Sequence, residues 1–403
     1  MVVALDPLAN EPRVSVVIVN WNYAPFVADA IRSVKGQSYQ NFECIVVDNG
    51  SDDSSVDQIL DAIAGHPQFT LHRLPSNLGQ LGGALWALQY VTGEFVTFLD
   101  ADDVLATTYL ASHLQAHLAA ASSVGFTSSN CVDVNAQGSL LTGGSIHMYR
   151  HWQNGVPGLR PIERTVRLRA VEDSAYAALA EAARYVPAQT KGWCWCPGSS
   201  NMFRRQLLDR IRPTDPSPTL FGGPDGFYSP ILHALTGVLL IDLPLSAYRL
   251  HESNDHSALP SLSGIGRRHP RAVAPSLASY VRMISWVIDC TDELLSPAIR
   301  QRYWQVLDVL ASTDPRARAV FSLPELQAIF ARRFQQLVDD YGELRVCYEL
   351  RRRVGFLDYV KIVLAARPRA NPLVELSRIV SLELARNGWR LGHRLRLARM
   401  PRT

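Results

Sequence analysis

The pattern of apolar and polar positions divides the chain into an alternating first third, a looser middle and a helical end. Val14–Asn20 (VSVVIVN) is a continuous β-branched run, the pattern of a strand buried on both faces of a parallel sheet. Pro25 opens an amphipathic stretch to about Gly36, with Phe26, Ala30, Ile31 and Val34 on one face. Phe42–Val47, Phe69–Leu74 and Glu94–Leu99 repeat the strand pattern; Asp53–Ala64 and Gly82–Val91 repeat the helical one. Such alternation with short connections predicts right-handed crossovers and an α/β fold with a doubly wound, mostly parallel, Rossmann-like sheet. Ligands of such sheets bind at the carboxyl ends of the strands.

Beyond about Val134 the pattern loosens. Residues 135–200 are rich in Gly, Pro and Trp, with one helix predicted near Val171–Arg184. Pro224–Leu235 reads as a helix and Val238–Leu250 as one or two strands broken at Pro244. Residues 256–275 hold five prolines or glycines in a mostly polar stretch and read as a linker. Helical patterns follow at Ser276–Asp289, Asp292–Leu310, Pro324–Arg353 and Leu373–Arg399. The predicted organisation is an α/β domain over 12–257, a linker over 258–275 and a helical, basic region over 276–403.

Four polar clusters follow the four strands: Asn20-Trp21-Asn22-Tyr23, Asp48-Asn49-Gly50-Ser51-Asp52-Asp53-Ser54, Pro75-Ser76-Asn77-Leu78-Gly79-Gln80 and Asp100-Ala101-Asp102-Asp103. Any one of them could be turn or cap chemistry. Together they predict a single crevice. In an extended segment residues i and i+2 point the same way, so Asp100 and Asp102 would face one point. Two like charges there are costly unless a divalent cation joins them to a partner. Hard oxygen donors favour Mg2+ or Mn2+, which also bind phosphates, so a metal-bound diphosphate is expected. No Gly-x-Gly-x-x-Gly follows the first strand and no Gly-Lys-Ser/Thr loop occurs, which argues against a dinucleotide oxidoreductase and a P-loop ATPase.

Composition narrows the class. The chain has 403 residues, 47% hydrophobic and 19% charged, which excludes a disordered or fibrous protein. No run of about 18 uncharged apolar residues occurs, and MVVALDPLANEPR does not read as a signal peptide, so a cytoplasmic protein is expected. Six scattered cysteines, two of them in Cys194-Trp195-Cys196, read as reduced thiols. Residues 351–403 carry thirteen Lys or Arg against three acids, a net of +10, so residues 1–350 carry −7 of the overall +3. That tail could be a solvated helical face or a contact with anionic lipid at the inner face of a membrane. Nucleic acid is disfavoured, because no recognisable module accompanies the charge.

The chain resembles the family 2 glycosyltransferases of the GT-A fold, of the bacterial polysaccharide and glycolipid type. The matching pieces are VSVVIVNWN (14–22), CIVVDNGSDDSS (44–55), NLGQLGGALWALQYVTGEFVTFLDADD (77–103), PGSSNMFRRQLL (197–208), PDGFYSPILHALTG (224–237) and YRLHESNDHS (248–257). They run over about residues 12–257 in the family's order.

The resemblance implies an inverting transfer of a sugar from a UDP- or dTDP-type donor to a glycan or lipid-linked acceptor, assisted by Mn2+ or Mg2+. It implies that Asn20, Trp21 and Asn22 border the nucleotide and that Asp48 accepts the base imide hydrogen. Asn77, Gly79, Asp100 and Ala101 would lie along the ribose and diphosphate. Asp102 and His251 would hold the metal, and Asp225 would be the catalytic base, with Asp215 nearby as an alternative. Trp193 and Trp195 could stack on an acceptor sugar or be plain core aromatics. Two departures stand out: Pro224 precedes Asp225 where members often carry a second acid, and Ala84-Leu85 occupies a common Arg-Asn position. A catalytically idle domain that binds sugar nucleotides or glycans within a synthesis complex is the alternative function.

Overall fold

The structure is a computed structural model that describes residues 11–145, 148, 152–213, 220, 222–252, 254, 273–289, 296–382 and 384. Asp215, Cys290, most of the expected linker and the arginines of 385–403 lie outside the described residues.

The first third follows the alternation. β1 (Val14–Asn20), α1 (Val27–Lys35), β2 (Phe42–Asp48), α2 (Ser55–Ile63), β3 (Phe69–Arg73), α3 (Gly79–Ala87) and β4 (Phe95–Asp100) succeed one another. The strands pair in parallel in the order β3-β2-β1-β4. Their uninterrupted apolar runs are explained by burial on both faces. Val14, Val16 and Ile18 join Val27, Ile31 and Val34 of α1 on one side, while Val17, Ile45 and Val47 join Leu81, Ala84 and Ala87 of α3 on the other. Helix α3 begins three residues earlier than its apolar spacing suggests, because Gly79 takes φ +75 and turns the chain into it.

The rest of the domain completes a ten-stranded mixed sheet. It comprises β5 (Val104–Leu105), α4 (Tyr109–Ala119), β6 (Phe126–Asn135), β7 (Val156–Pro157), α5 (Asp173–Ala182), β8 (Ala183–Val186), β9 (Asn201–Arg204), α6 (Arg205–Arg210), α7 (Pro224–Thr236) and β10 (Val238–Leu250). Beyond β4 the order continues β9-β6-β10-β8-β7, with β5 against β10. Strand β9 runs antiparallel between β4 and β6, so the residues just before it stand at the carboxyl end of β4. Strand β6 is invisible to an apolar pattern because Thr127, Ser128, Ser129 and Asn130 fill its middle. These side chains are buried and bonded: Thr127 Oγ1 to His113 Nδ1 at 2.7 Å, and Ser128 Oγ accepting from the Cys196 N–H at 3.0 Å. Strand β10 is one element, irregular around Pro244.

The C-terminal region is helical: α8 (Val273–Asp289), α9 (Pro297–Gln301), α10 (Tyr303–Leu310), α11 (Pro315–Ala319), α12 (Pro324–Tyr341), α13 (Glu343–Val354) and α14 (Phe356–Ala366), then a helical stretch over 372–382. The expected helix Pro324–Arg353 is two, parted at Gly342 with φ +79. This region is no detached appendage. Phe227 and Ile231 of α7 share one continuous core with Met283, Ile284, Trp304 and Leu307. No helix among the described residues is long and apolar enough to cross a membrane.

Candidate active site

The strand register gathers three of the four polar clusters at one edge. Asn20 stands opposite Asp48 and Val19 opposite Asp100. Asn20 Nδ2 donates to Asp48 Oδ1 at 3.3 Å and to Ser51 Oγ at 3.2 Å. Asn22 has φ 57, a left-handed conformation that asparagine tolerates, and its Nδ2 donates to Asp52 Oδ1 at 2.7 Å while the Asp52 N–H donates back at 3.0 Å. The fourth cluster is tied on through Asn49: its Nδ2 donates to Asn77 Oδ1 at 3.0 Å and to the Gly79 carbonyl at 3.1 Å. Gly50 is obligatory, since a Cβ there would meet the Ser76 backbone at 2.8 Å. Asn20, Asp48 and Asn49 are buried, whereas Trp21 is 49% exposed and offers a free face.

The acidic cluster differs from its expected geometry. Residues 100–103 form a turn, closed by the Asp103 N–H donating to the Asp100 carbonyl at 3.1 Å, so the i, i+2 argument for an extended segment does not apply. Asp100 and Asp102 engage different partners. Asp100 accepts from Gln80 Nε2, and Asp102 Oδ2 lies 3.0 Å from His251 Nε2. The His251 ring stacks on Phe26 at 4.5 Å and meets the edge of Tyr23 at 5.5 Å. The Ala101 side chain is buried in the core.

Two residues that sequence reasoning left unassigned, Arg249 and Ser199, hold this turn. Arg249, buried near the end of β10, donates from Nε to the Asp102 carbonyl at 2.7 Å, from Nη1 to the Ala136 carbonyl at 2.9 Å and from Nη2 to Asp29 Oδ2 at 3.0 Å. Its own N–H donates to Asp103 Oδ1 at 2.9 Å, and Ser199 Oγ donates to Asp103 Oδ2 at 2.7 Å. Burial, and then the neighbouring Asp102 charge, push the Asp103 carboxyl well above the usual carboxylate range. A signal existed for Arg249: an arginine inside the mostly apolar strand Val238–Leu250 needs buried partners.

The last piece comes from α7. Pro224 opens it, and Asp225 lies in its first turn beside Gly198, the residue that β9 stations at the end of β4. A Cβ on Gly198 would lie 3.5 Å from Asp100 Oδ2 and 3.7 Å from Asp225 Cγ. Two carboxylates, one from the sheet and one from the helix, therefore reach toward the same point. The start of α3 is already satisfied in part: the Leu81 and Gly82 N–H groups donate to the Gly222 and Leu220 carbonyls at 3.0 and 3.2 Å. Trp195 is fully buried against Phe126 and His233, which makes it a core aromatic rather than a sugar platform. Trp193 is half-buried, packs tilted against Trp195 with ring centroids 4.6 Å apart and donates from Nε1 to the Trp195 carbonyl at 2.7 Å.

The crevice lies at the carboxyl edge of a Rossmann-like mixed sheet of the α/β class and is lined by carboxylates. Residues 15–166 match the model of glycosyl transferase family 2. That match spans the first part of the chain, and the similar curated proteins are named as glycosyltransferases. It is 28% identical over 250 residues to an uncharacterized glycosyltransferase of Nostoc sp., covering 62% of this chain and 68% of that one. It is 35% identical over 106 residues to the GalNAc(5)-diNAcBac-PP-undecaprenol beta-1,3-glucosyltransferase of Campylobacter jejuni, covering 26% of this chain and 34% of that one. The UDP-Glc:alpha-D-GlcNAc-diphosphoundecaprenol beta-1,3-glucosyltransferase of Escherichia coli is 30% identical over 91 residues, 23% of this chain and 35% of that one. The crystal structure of S. aureus TarS 1–349 overlays with a TM-score of 0.47 at 16% identity, over 94% of this chain and 92% of that one.

Proposed function

We propose that the chain is an inverting glycosyltransferase that takes a sugar from a nucleoside diphosphate donor of the UDP or dTDP type. The observation that carries this reading is the approach of Asp100 and Asp225 to one point beside Gly198. A sugar hydroxyl is a poor nucleophile near neutral pH. A carboxylate within hydrogen-bond reach removes its proton and contributes about 10²–10⁴-fold in rate. Asp225 is that base: it belongs to a helix start, apart from the turn of Asp102 and His251 that faces the donor. One base opposite the leaving group gives a single in-line displacement and an inverted anomeric centre.

The donor set suits a hard divalent cation. Asp102 and His251 are already side by side at 3.0 Å, within reach of one ion. Asp102 and His251 would hold Mn2+ or Mg2+, with further ligands from the donor's phosphates. When bound, the ion would neutralise charge that develops on the departing diphosphate. Arg249 keeps the turn in register by holding the Asp102 carbonyl, and Asn20 and Ser51 orient Asp48 toward the base. Trp21 would stack on the base, and Asn22, Asn77 and Gly79 would border the ribose and diphosphate. An acceptor sugar would rest against the edge of Trp193. A lipid-linked acceptor is supported by the two relatives whose names specify undecaprenol diphosphate sugars.

Two experiments test this reading. Asp102→Asn preserves size but removes a charged ligand, so Mn2+-dependent UDP binding should collapse in calorimetry while the fold survives. Unchanged metal-supported affinity would refute the metal assignment. Proton couplings of the first product formed by the wild-type enzyme should report the anomer opposite to the donor's. A retained configuration would exclude the single displacement.

A further inference from the structure

The last described helical stretch, residues 372–382, is fixed to the molecule by Glu375, Ile379 and Leu382 on one side and shows solvent an apolar face on the other. Glu375 is buried and accepts from Arg367 Nη1 at 2.8 Å, and Ile379 is in the core with Leu382 packed against it. Leu373, Val374, Leu376, Val380 and, just beyond, Leu384 are 39–76% exposed. Four of them, Leu373, Leu376, Val380 and Leu384, are spaced by three, four and four residues, which makes a single stripe along one helix face. Lone exposed apolar residues are ordinary, but five within twelve residues make a patch that needs an occupant.

The charge around the stripe selects the occupant. Over 351–384 most of the cations are matched at home. Arg352 and Arg353 pair with Asp308 and Glu349, Lys361 with Asp358, and Arg367 and Arg378 with Glu343. Uncompensated charge instead gathers directly after the stripe: residues 385–403 contain six arginines and no acid. In the sequence Leu391 and Leu395 continue the helical spacing of the stripe among those arginines. A second copy of the chain would bring like charges together at such a face, so self-association is disfavoured. An apolar stripe continued by arginines complements an anionic lipid surface, where leucines enter the acyl boundary and arginines meet the headgroups.

We infer that the Leu373–Leu384 stripe is the docking face for an anionic bilayer, with the arginines of 385–403 as its electrostatic anchor. The inference does not depend on the catalytic reading, since it involves no residue of the strand-end crevice.

The test uses the full-length chain and sedimentation with vesicles of phosphatidylcholine containing about one-third phosphatidylglycerol. Binding is expected, and about tenfold less of it on neutral vesicles or at high salt. Val380→Asp with Leu384→Asp should lower partition at least about tenfold without changing the melting temperature or transfer to a soluble acceptor. Arg390→Gln with Arg394→Gln and Arg396→Gln should remove most of the dependence on anionic lipid. Absence of wild-type binding to anionic vesicles, or wild-type binding by the Val380→Asp/Leu384→Asp variant, would overturn the inference. So would a wild-type dimer in analytical ultracentrifugation that this variant dissolves, since the face would then be an interface between copies.

Discussion

The carboxyl edge of the sheet and the C-terminal helices both bury charged side chains, but to different ends. At the sheet edge the charged groups are gathered from distant segments: Arg249 of β10 reaches Asp29 of α1 and the turn at Asp102. The carboxylates there outnumber the cations and one of them, Asp103, is pushed toward its neutral form. Among the C-terminal helices the ion pairs are balanced. Arg353 meets Glu349 at 2.6 Å and Asp308 at 2.7 Å and covers the Trp304 ring at 5.1 Å. The first arrangement gathers an excess of carboxylates at one crevice, whereas the second ties helices together.

Substitutions can sharpen that contrast. Arg249→Met should be the most damaging, because it takes the guanidinium donor away from Asp29 and from the Asp102 and Ala136 carbonyls. A loss of about 3–5 kcal/mol in denaturant unfolding is expected, with weaker donor binding by whatever remains folded. A loss below about 1 kcal/mol would mean that the turn holds itself. Arg353→Met should cost about 2 kcal/mol and leave the KM for donor unchanged, since its partners are all in the helical region. A changed KM would show that the helices adjust the crevice through α7.

The two regions should also differ in acid sensitivity. Burial holds His113 of α4 down at about 3, and burial followed by the Arg204 charge holds His117 well below its usual value. Both are neutral in the folded state, whereas in the unfolded chain they take up protons below about pH 6.5. Their stabilisation is therefore complete above pH 6.5 and is lost as pH falls toward their folded values. The slope is about 1.4 kcal/mol per pH unit for each histidine in that window. Melts from pH 7.5 to 4.5 should show it, and His117→Gln should flatten it; stability that is level between pH 6.5 and 5 would contradict the burial. The smallest effect is expected at Arg378→Gln, a half-exposed pair with Glu343, which should change the melting midpoint within the scatter of about 0.5 kcal/mol.

How much of this was legible in the sequence follows from the same contrast. The β1–β4 alternation was readable because burial on both faces demands unbroken apolar runs. Strand β6 was not, since its polar residues are satisfied across the fold: Thr127 by His113 of α4, Ser128 by Cys196 and Asn130 by Asp242. The convergence of strand-end clusters was readable from topology. The turn at 100–103 and its clamp by Arg249 depend on β10 lying beside β5 and β6, a long-range pairing that no local spacing encodes. Trp195 fails as a platform for a similar reason: only the packed core shows that Phe126 and His233 enclose it.

The most direct test of the central claim is transfer by Asp225→Asn at saturating donor, read beside its UDP affinity. Asparagine keeps the shape of the side chain at the helix start but cannot take a proton at neutral pH. Transfer should fall by about 10²–10⁴-fold while UDP affinity stays within about twofold of wild type. Retention of most transfer activity would contradict the account and move the base elsewhere, with Asp215 the first residue to examine.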